Sequence, residues 1–471
     1  MALRNMLLVA YHFPPFGGSG VQRVLKFAKY LPRHGWRAHV LTAGHLHYPL
    51  MDPALLKDAG DETVIHRVKG WEPGGVAARL GRLMPTAWRS NHHGDVGPAE
   101  KPRVEDRLYW RLERWTKRAS LPEVEMRWLG AAARAARRII RRHGIQAVMT
   151  TSPPQCIQNL GLRIKRGHGL PWIADLRDPI VDNFATDSEA AAVSQWRQSL
   201  EQQTCESADR VLVTCSDLRE RLVERHGLPL RHRIEVIPNG FDPDDRPTEC
   251  ARNPEPRKFV LGYIGSFYQA QTIEPLLKAL RAFAGSRPDV DKMFELRIAG
   301  SISARQRPLM GDDDRRFIRE LNYLPHGAAL REMSAADALF LMTPPGDAGR
   351  FCIPAKIFEY LAFGRHVIAV IHPGTALKGI LRAAGSTSVV HQGDISGLTH
   401  AIAAQFDAWS AGRSAPVRDP GVLAQFTRDE QASQLADVLD ALAVRRRVRR
   451  RLANSVHTGD ISLMPAVGKA T

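Results

Sequence analysis

Three stretches of this 471-residue sequence hold residue types that do chemistry on small molecules. The first is Tyr11-His-Phe-Pro-Pro-Phe-Gly-Gly-Ser-Gly20, between an apolar run and a helical pattern. Gly17 and Gly18 let the backbone approach a ligand, and the free amides of a helix start favour an anion. Strand-to-helix turns also use glycine for geometry alone, and that reading stands beside the first. The second stretch is Trp172-Ile-Ala-Asp-Leu-Arg-Asp-Pro179. Its Asp175, Arg177 and Asp178 follow an apolar run, which puts them at a strand's end. Asp178 has the chemistry to orient or deprotonate a hydroxyl, and Arg177 to hold a phosphate. An Arg-Asp ion pair that braces the loop is the alternative. The third stretch is Lys356-Ile-Phe-Glu-Tyr-Leu-Ala-Phe-Gly364, with Lys356 one helical turn before Glu359. A Glu near a helix terminus also suits the helix dipole. Asp312-Asp-Asp314 is consecutive and reads as surface. No Asp-x-Asp or His/Cys cluster in the sequence suggests a metal site.

The elements that must position these residues repeat one pattern twice. Short apolar runs at 6–11, 37–42, 63–68, 147–151, 172–175 and 210–214 read as buried strands, with helices at 20–34 and 129–143. Residues 70–128 are rich in Gly, Pro and Trp and read as an insertion. Asn239-Gly240 is a turn signal, and 243–258 reads as a linker. The pattern restarts with strands at 259–264, 295–299, 338–342 and 366–371. Helices are expected at 273–283, 329–335, 356–363, 397–409 and about 429–444. Alternating strands and helices imply right-handed crossovers, hence α/β architecture with two doubly wound Rossmann-like domains facing a central cleft. Ligands in such sheets bind at the carboxyl ends of the strands, near the switch in strand order.

Composition narrows the class. Apolar residues make up 44% and charged residues 24%, which excludes disorder or a disulfide scaffold for the whole chain. No apolar run approaches the ~20 residues of a membrane span, and the first residues do not read as a signal peptide. The five cysteines have no Cys-x-x-Cys spacing, so a reducing cytosol is the expected compartment. The net charge of +17 is uneven. Residues 1–238 hold 36 basic and 24 acidic residues, 239–444 hold 23 and 24, and 445–471 hold 7 and 1. No nucleic-acid reader motif accompanies the charge, so no nucleic-acid partner is expected. Tyr109, Trp110, Trp115, Leu121 and Trp128 among arginines fit an anionic membrane surface, or a solvated helix face with its aromatics in the core.

The whole chain resembles the family 4 glycosyltransferases of the GT-B fold. The resemblance rests on the glycine loop, Val236-Ile-Pro-Asn-Gly240, Leu261-Gly-Tyr-Ile-Gly265, Leu296-Arg-Ile-Ala-Gly300 and the Lys356–Gly364 block, in that order. It implies retaining transfer of a sugar from a nucleotide sugar, UDP- or GDP-linked, with no metal and no other cofactor. It implies an acceptor domain at 1–238 and a donor domain at 259–415. A C-terminal helix at 416–444 would pack back on the first domain, followed by a basic, disordered tail at 445–471. On this resemblance Gly17 and Gly18 lie against the donor diphosphate and Glu359 binds the ribose hydroxyls. Asp175, Arg177 and Asp178 form the acceptor side. Asp178, Arg177 and Lys356 are the expected catalytic residues.

The departures matter. The family's first Glu, eight residues before Glu359, is Phe351 here. The family's diphosphate-binding Arg and Lys are Ser266 and Gln271. Charge on the leaving group is a large electrostatic term. Lys356 and Arg350 are the cations available to take it over, and Lys-x-x-Glu-Tyr-Leu-Ala resembles a family variant that keeps a Lys. The implied role is hexosyl transfer to a lipid-linked or glycan acceptor in cell-surface polysaccharide or glycolipid synthesis. The implied place is cytoplasmic, peripheral on the inner face of the plasma membrane. A catalytically impaired paralogue that binds nucleotide sugar or a partner is the alternative.

Overall fold

The computed structural model describes residues 2–44, 50–70, 122–123, 125–183, 191–246, 257–267, 271–287, 290–303, 306–413 and 420–458. Two parallel sheets carry the fold. The first has seven strands in the order β3-β2-β1-β4-β5-β6-β7: β1 (Arg4–Ala10), β2 (Trp36–Ala43), β3 (Val64–Val68), β4 (Ala147–Ser152), β5 (Trp172–Leu176), β6 (Arg210–Val213) and β7 (Ile234–Val236). The second has six in the order β10-β9-β8-β11-β12-β13: β8 (Phe259–Ile264), β9 (Phe294–Ala299), β10 (Ile318–Glu320), β11 (Ala338–Met342), β12 (His366–Ile371) and β13 (Thr387–His391). Central strands such as β8 and β11 are buried along their whole length, as helices on both faces require. The order reverses beside β1 and β4 in one sheet and beside β8 and β11 in the other. Those two places open the crevices where loops can hold a ligand.

The principal helices are α1 (Ser19–Tyr30), α2 (Met126–His143), α3 (Ile157–His168), α4 (Ala191–Ser207), α5 (Ser216–His226), α6 (Glu274–Gly285), α7 (His326–Ala335), α8 (Lys356–Ala362), α9 (Leu377–Ala384), α10 (Ile395–Ser410) and α11 (Arg428–Thr458). The helix α2 buries Trp128, Leu129, Ala132, Ala136 and Ile139 as one stripe and ends at left-handed Gly144. Trp128 is a core residue, not an interfacial one. Its Nε1 donates to the Val68 carbonyl at 3.0 Å, and its ring meets Tyr11 edge-on. Tyr109, Trp110, Trp115 and Leu121 lie outside the described residues, as does most of the expected insertion. The last helix does not end at the arginine run. It continues through it to Thr458, because arginine is a good helix former. Leu435, Leu439 and Leu442 of α11 are buried in the core of the first domain.

The chain crosses between domains twice, and the crossings are bonded together. Phe241 N donates to Phe426 O at 3.0 Å, and Arg428 N to Phe241 O at 2.9 Å. A Cβ at Gly240 would stand 2.0 Å from Phe426 O, so only glycine fits there. Beside the crossings, α1 presents Lys26 with a side chain only 1% exposed. Its ammonium reaches Asp242 and Asp245, each at 2.7 Å, and also pairs with Asp58. Lys29 adds Asp242 at 2.9 Å, and the Tyr30 hydroxyl donates to Asp242 at 2.6 Å. Burial alone would raise the Asp242 carboxyl. Lys26, Tyr30 and Lys29 outweigh burial and hold it well below the usual carboxylate range. From the second domain, His326 Nε2 meets Asp245 at 3.2 Å and His326 N donates to Asp52 at 2.8 Å.

Asp242→Asn is expected to destabilise the protein by about 2–3 kcal/mol at pH 7, the scale of lost charged hydrogen bonds, because Lys26 keeps two other carboxylates. A carboxyl lowered on folding stabilises above its unfolded pKa, and this contribution is lost as pH falls through the folded value. The Tm gap between wild type and variant should therefore narrow as pH falls below about 4.

Candidate functional site

The carboxyl ends of the two sheets face each other across a cleft of about 390 Å³. From the first domain, Gly18 and Gly20 after β1, Pro153 after β4, and Arg177 and Asp178 after β5 line it. From the second, Gly265 and Ser266 after β8, Pro344 after β11, and Lys356 and Glu359 of α8 line it. Gly17 lies just behind. Its N donates to Leu50 O at 2.7 Å, and a Cβ there would stand 2.3 Å from the Tyr323 hydroxyl. That glycine lets the first-domain loop touch the second domain.

Lys356 is the cation of the second-domain wall. Its Nζ stands 3.8 Å from the Tyr263 ring centroid, and no described carboxylate pairs with it. Gly265 has φ +146°, and a Cβ there would lie 2.7 Å from the Lys356 Nζ. The ammonium therefore occupies space that the missing side chain leaves free, beside the Ser266 backbone. Burial pushes the lysine down to about 7, against the pull of Cys352 and Glu359. Burial also raises Glu359, while His326 and Arg428 draw it down. Glu359 is in the first turn of α8 and in the cleft wall, so both readings of its position hold geometrically.

Other expected donor residues are committed elsewhere. The Ser266 hydroxyl accepts from Ser301 N at 3.0 Å. Gln271 Nε2 donates to Met342 O at 3.2 Å, and its carbonyl accepts from Gln306. Both residues line the cleft but brace strand ends. Arg350 does not join them. It is exposed, outside the cleft lining, and 3.6 Å from Asp217 of α5. Phe351 is buried, and its carbonyl faces the Cys215 thiol at 3.7 Å.

On the first-domain side, Asp175 is withdrawn from the cleft. It is fully buried, takes Arg23 Nε at 3.2 Å and Nη2 at 3.0 Å, and accepts from Thr151 at 2.7 Å. Arg177 is a brace as well as a lining residue. It donates to the carbonyls of Ser152 at 2.8 Å, Pro153 at 3.0 Å and Gly20. Asp178 lines the cleft. Burial raises its pKa, Arg177 opposes this, and Asp175 adds to it. His12 stacks edge-on with Tyr11 and Phe16, and Phe13 is buried.

Sequence reasoning missed three cleft residues. Arg428, at the start of α11, is 3% exposed and bonds Gln431 at 3.0 Å. Burial and Arg23 push its guanidinium down to about 10, against Glu359, Asp245 and Asp242. His326 and Tyr323 come from the segment leading into α7. None had a local signal, because each becomes a site residue only through the second crossing or the domain contact.

The Glycosyltransferase Family 4 profile matches residues 121–245, the later part of the first domain. Among solved structures, the chain is similar to a UDP-forming α,α-trehalose-phosphate synthase from Burkholderia xenovorans in complex with glucose-6-phosphate. The two share 11% identity at TM-score 0.60, covering 93% of this chain and 100% of that one. It is also similar to a glycosyltransferase from Rickettsia africae ESF-5, at 13% identity and TM-score 0.54, covering 93% and 98%. Sucrose-phosphate synthase from Thermosynechococcus elongatus aligns at 16% identity and TM-score 0.53, covering 96% and 100%. No curated protein matches the chain by sequence. The fold is GT-B, and residues 121–245 of the first domain match the family 4 glycosyltransferase profile.

Gly265→Ala tests whether Lys356 depends on that glycine. The added methyl should push the ammonium out of its buried place and impose backbone strain of about 1–3 kcal/mol. Lysine NMR should show the Lys356 pKa rising from about 7 toward the ordinary value. An unchanged titration would mean that the amine does not rest against Gly265.

Proposed function

We propose that this GT-B glycosyltransferase moves a hexose-type sugar, with retention, from a UDP- or GDP-sugar to a lipid-linked or glycan acceptor of the cell surface. The observation that carries the reading is the pair Lys356 and Glu359, one turn apart on α8 and facing the cleft. Lys356 would neutralise the leaving diphosphate in place of the cations that Ser266 and Gln271 do not supply. Glu359 would accept hydrogen bonds from the two ribose hydroxyls. Gly18 would leave room for the diphosphate on the first-domain side of the cleft. Asp178, with its raised pKa, would orient or deprotonate the acceptor hydroxyl, and Arg177 would fix the loop that carries it. A metal or further cofactor has no part in this reading.

The second reading is a paralogue that binds a donor without turning it over. Phe351 favours it, because a buried phenyl replaces the carboxylate expected near the transferred sugar. Calorimetry with UDP and GDP separates the outcomes when paired with turnover of the matching sugar nucleotides. The enzyme reading expects one nucleotide to bind, with Glu359→Ala and Lys356→Met each weakening it by about tenfold or more, and the matching sugar nucleotide to be consumed. Binding without consumption in any acceptor mixture supports the silent paralogue. No binding of either nucleotide rejects both.

Charge supports a lipid-linked acceptor. Lys165, His168, Arg210, Arg233, Arg445 and Arg446, with only Glu206 and Asp209 as acids, line one hollow of about 760 Å³ on the first domain. That basic surface would hold the enzyme on an anionic lipid face, on the cytoplasmic side, near a lipid-linked acceptor. No described helix is long and apolar enough to cross a membrane. Co-sedimentation with phosphatidylserine vesicles should be strong at low salt and fall as salt rises. Equal recovery with neutral vesicles would remove the lipid surface from the proposal.

A further inference from the structure

Three histidines distant in sequence meet at the outer edge of the first sheet. His39 is in β2, His66 in the edge strand β3, and His143 is the last residue of α2. None of them lines the cleft. His39 is 2% exposed, and the other two are half-buried. The ring centroids of His39 and His143 are 4.5 Å apart, and each is 5.5 Å from that of His66. One nitrogen from each ring lies within 4.8 Å of the other two.

Two details separate this cluster from an ordinary aromatic stack. His39 Nδ1 stands 3.2 Å from His66 Nε2. A tetrahedral zinc ion with nitrogen ligands at about 2.0–2.1 Å holds those nitrogens roughly 3.3 Å apart, so this pair already has the required bite. The other nitrogen of His39, Nε2, is buried and has no hydrogen-bond partner. The surroundings agree. The nearest charged side chain acting on His39 is Arg37, which pairs with Glu62. Three imidazole nitrogens, common metal ligands, thus converge at one point of the sheet edge.

We propose that His39, His66 and His143 bind one divalent transition metal of borderline softness, zinc foremost, through three imidazole nitrogens. The fourth position faces the solvent side, where His66 and His143 are half-buried. The site is a cross-link and takes no part in sugar transfer. It joins β2, β3 and α2, and β3 and α2 flank residues 71–121 in the sequence.

The test uses the full chain, stripped with chelator and titrated with Zn²⁺ alone and then with Co²⁺ alone. The proposal expects one equivalent bound per chain, a rise in Tm, and the intense visible bands of tetrahedral cobalt. His66→Gln and His143→Gln, both at half-buried positions, should each remove the one-per-chain site and the cobalt bands. Far-UV circular dichroism and the metal-free Tm show whether each variant has folded. If one fails to fold, the other carries the comparison. Absence of one-per-chain binding in the wild type overturns the proposal. So does binding that survives in a folded variant, because the metal would then sit on other histidines, such as His92 and His93.

Discussion

The ammonium of Lys26 has almost no contact with water, and the two-domain arrangement depends on what surrounds it. A buried lysine without partners would lose its proton or unfold its site. Here Asp58 of the first domain meets Asp242 and Asp245, which directly follow the first crossing. His326 of the second domain closes the cluster through Asp245. The charge on α1 thus fixes where the chain leaves one domain and how the other sits against it. The same helix supplies Arg23, which holds Asp175 and also donates to the Pro238 carbonyl at 2.9 Å. One helix therefore braces the strand end after β5 and the approach to the crossing.

The chemistry of the cleft follows from that placement. The domains approach closely enough for the Gly17 loop to meet Tyr323. Arg428, just past the second crossing, and His326 both face Glu359. The cleft wall of the second domain thus combines Lys356, held against Tyr263, with the Glu359 carboxylate near His326 and Arg428. A low-polarity setting that presses a lysine down to about 7 also strengthens its attraction for any anion that enters the cleft.

Much of the fold was legible because buried parallel strands are continuous apolar runs. Strands 259–264, 338–342 and 366–371 have the bounds the sequence suggests. The edge strands β10 and β13 were not read, being short and only partly buried. The helices α3, α4 and α5 also went unread, because their apolar positions are interrupted by charged and polar residues. At the site, Lys356 and Glu359 came from the family resemblance, and one helix brings both to the cleft wall. Asp175 was not readable as a brace, since its partner Arg23 is 152 positions away. Arg350 looked available because its loop is rich in Gly and Pro, yet Asp217 holds it on the far side. The three histidines were invisible for the same reason as Arg23, since strand neighbours in a parallel sheet come from separate parts of the chain.

The central claim is that Lys356 replaces the diphosphate-binding cations absent at positions 266 and 271. A crystal structure with the nucleoside diphosphate that binds tests it most directly. The account predicts a diphosphate oxygen within about 3 Å of the Lys356 Nζ, with the ribose hydroxyls on Glu359. A diphosphate bound elsewhere, with the Lys356 amine still against Tyr263, would contradict it.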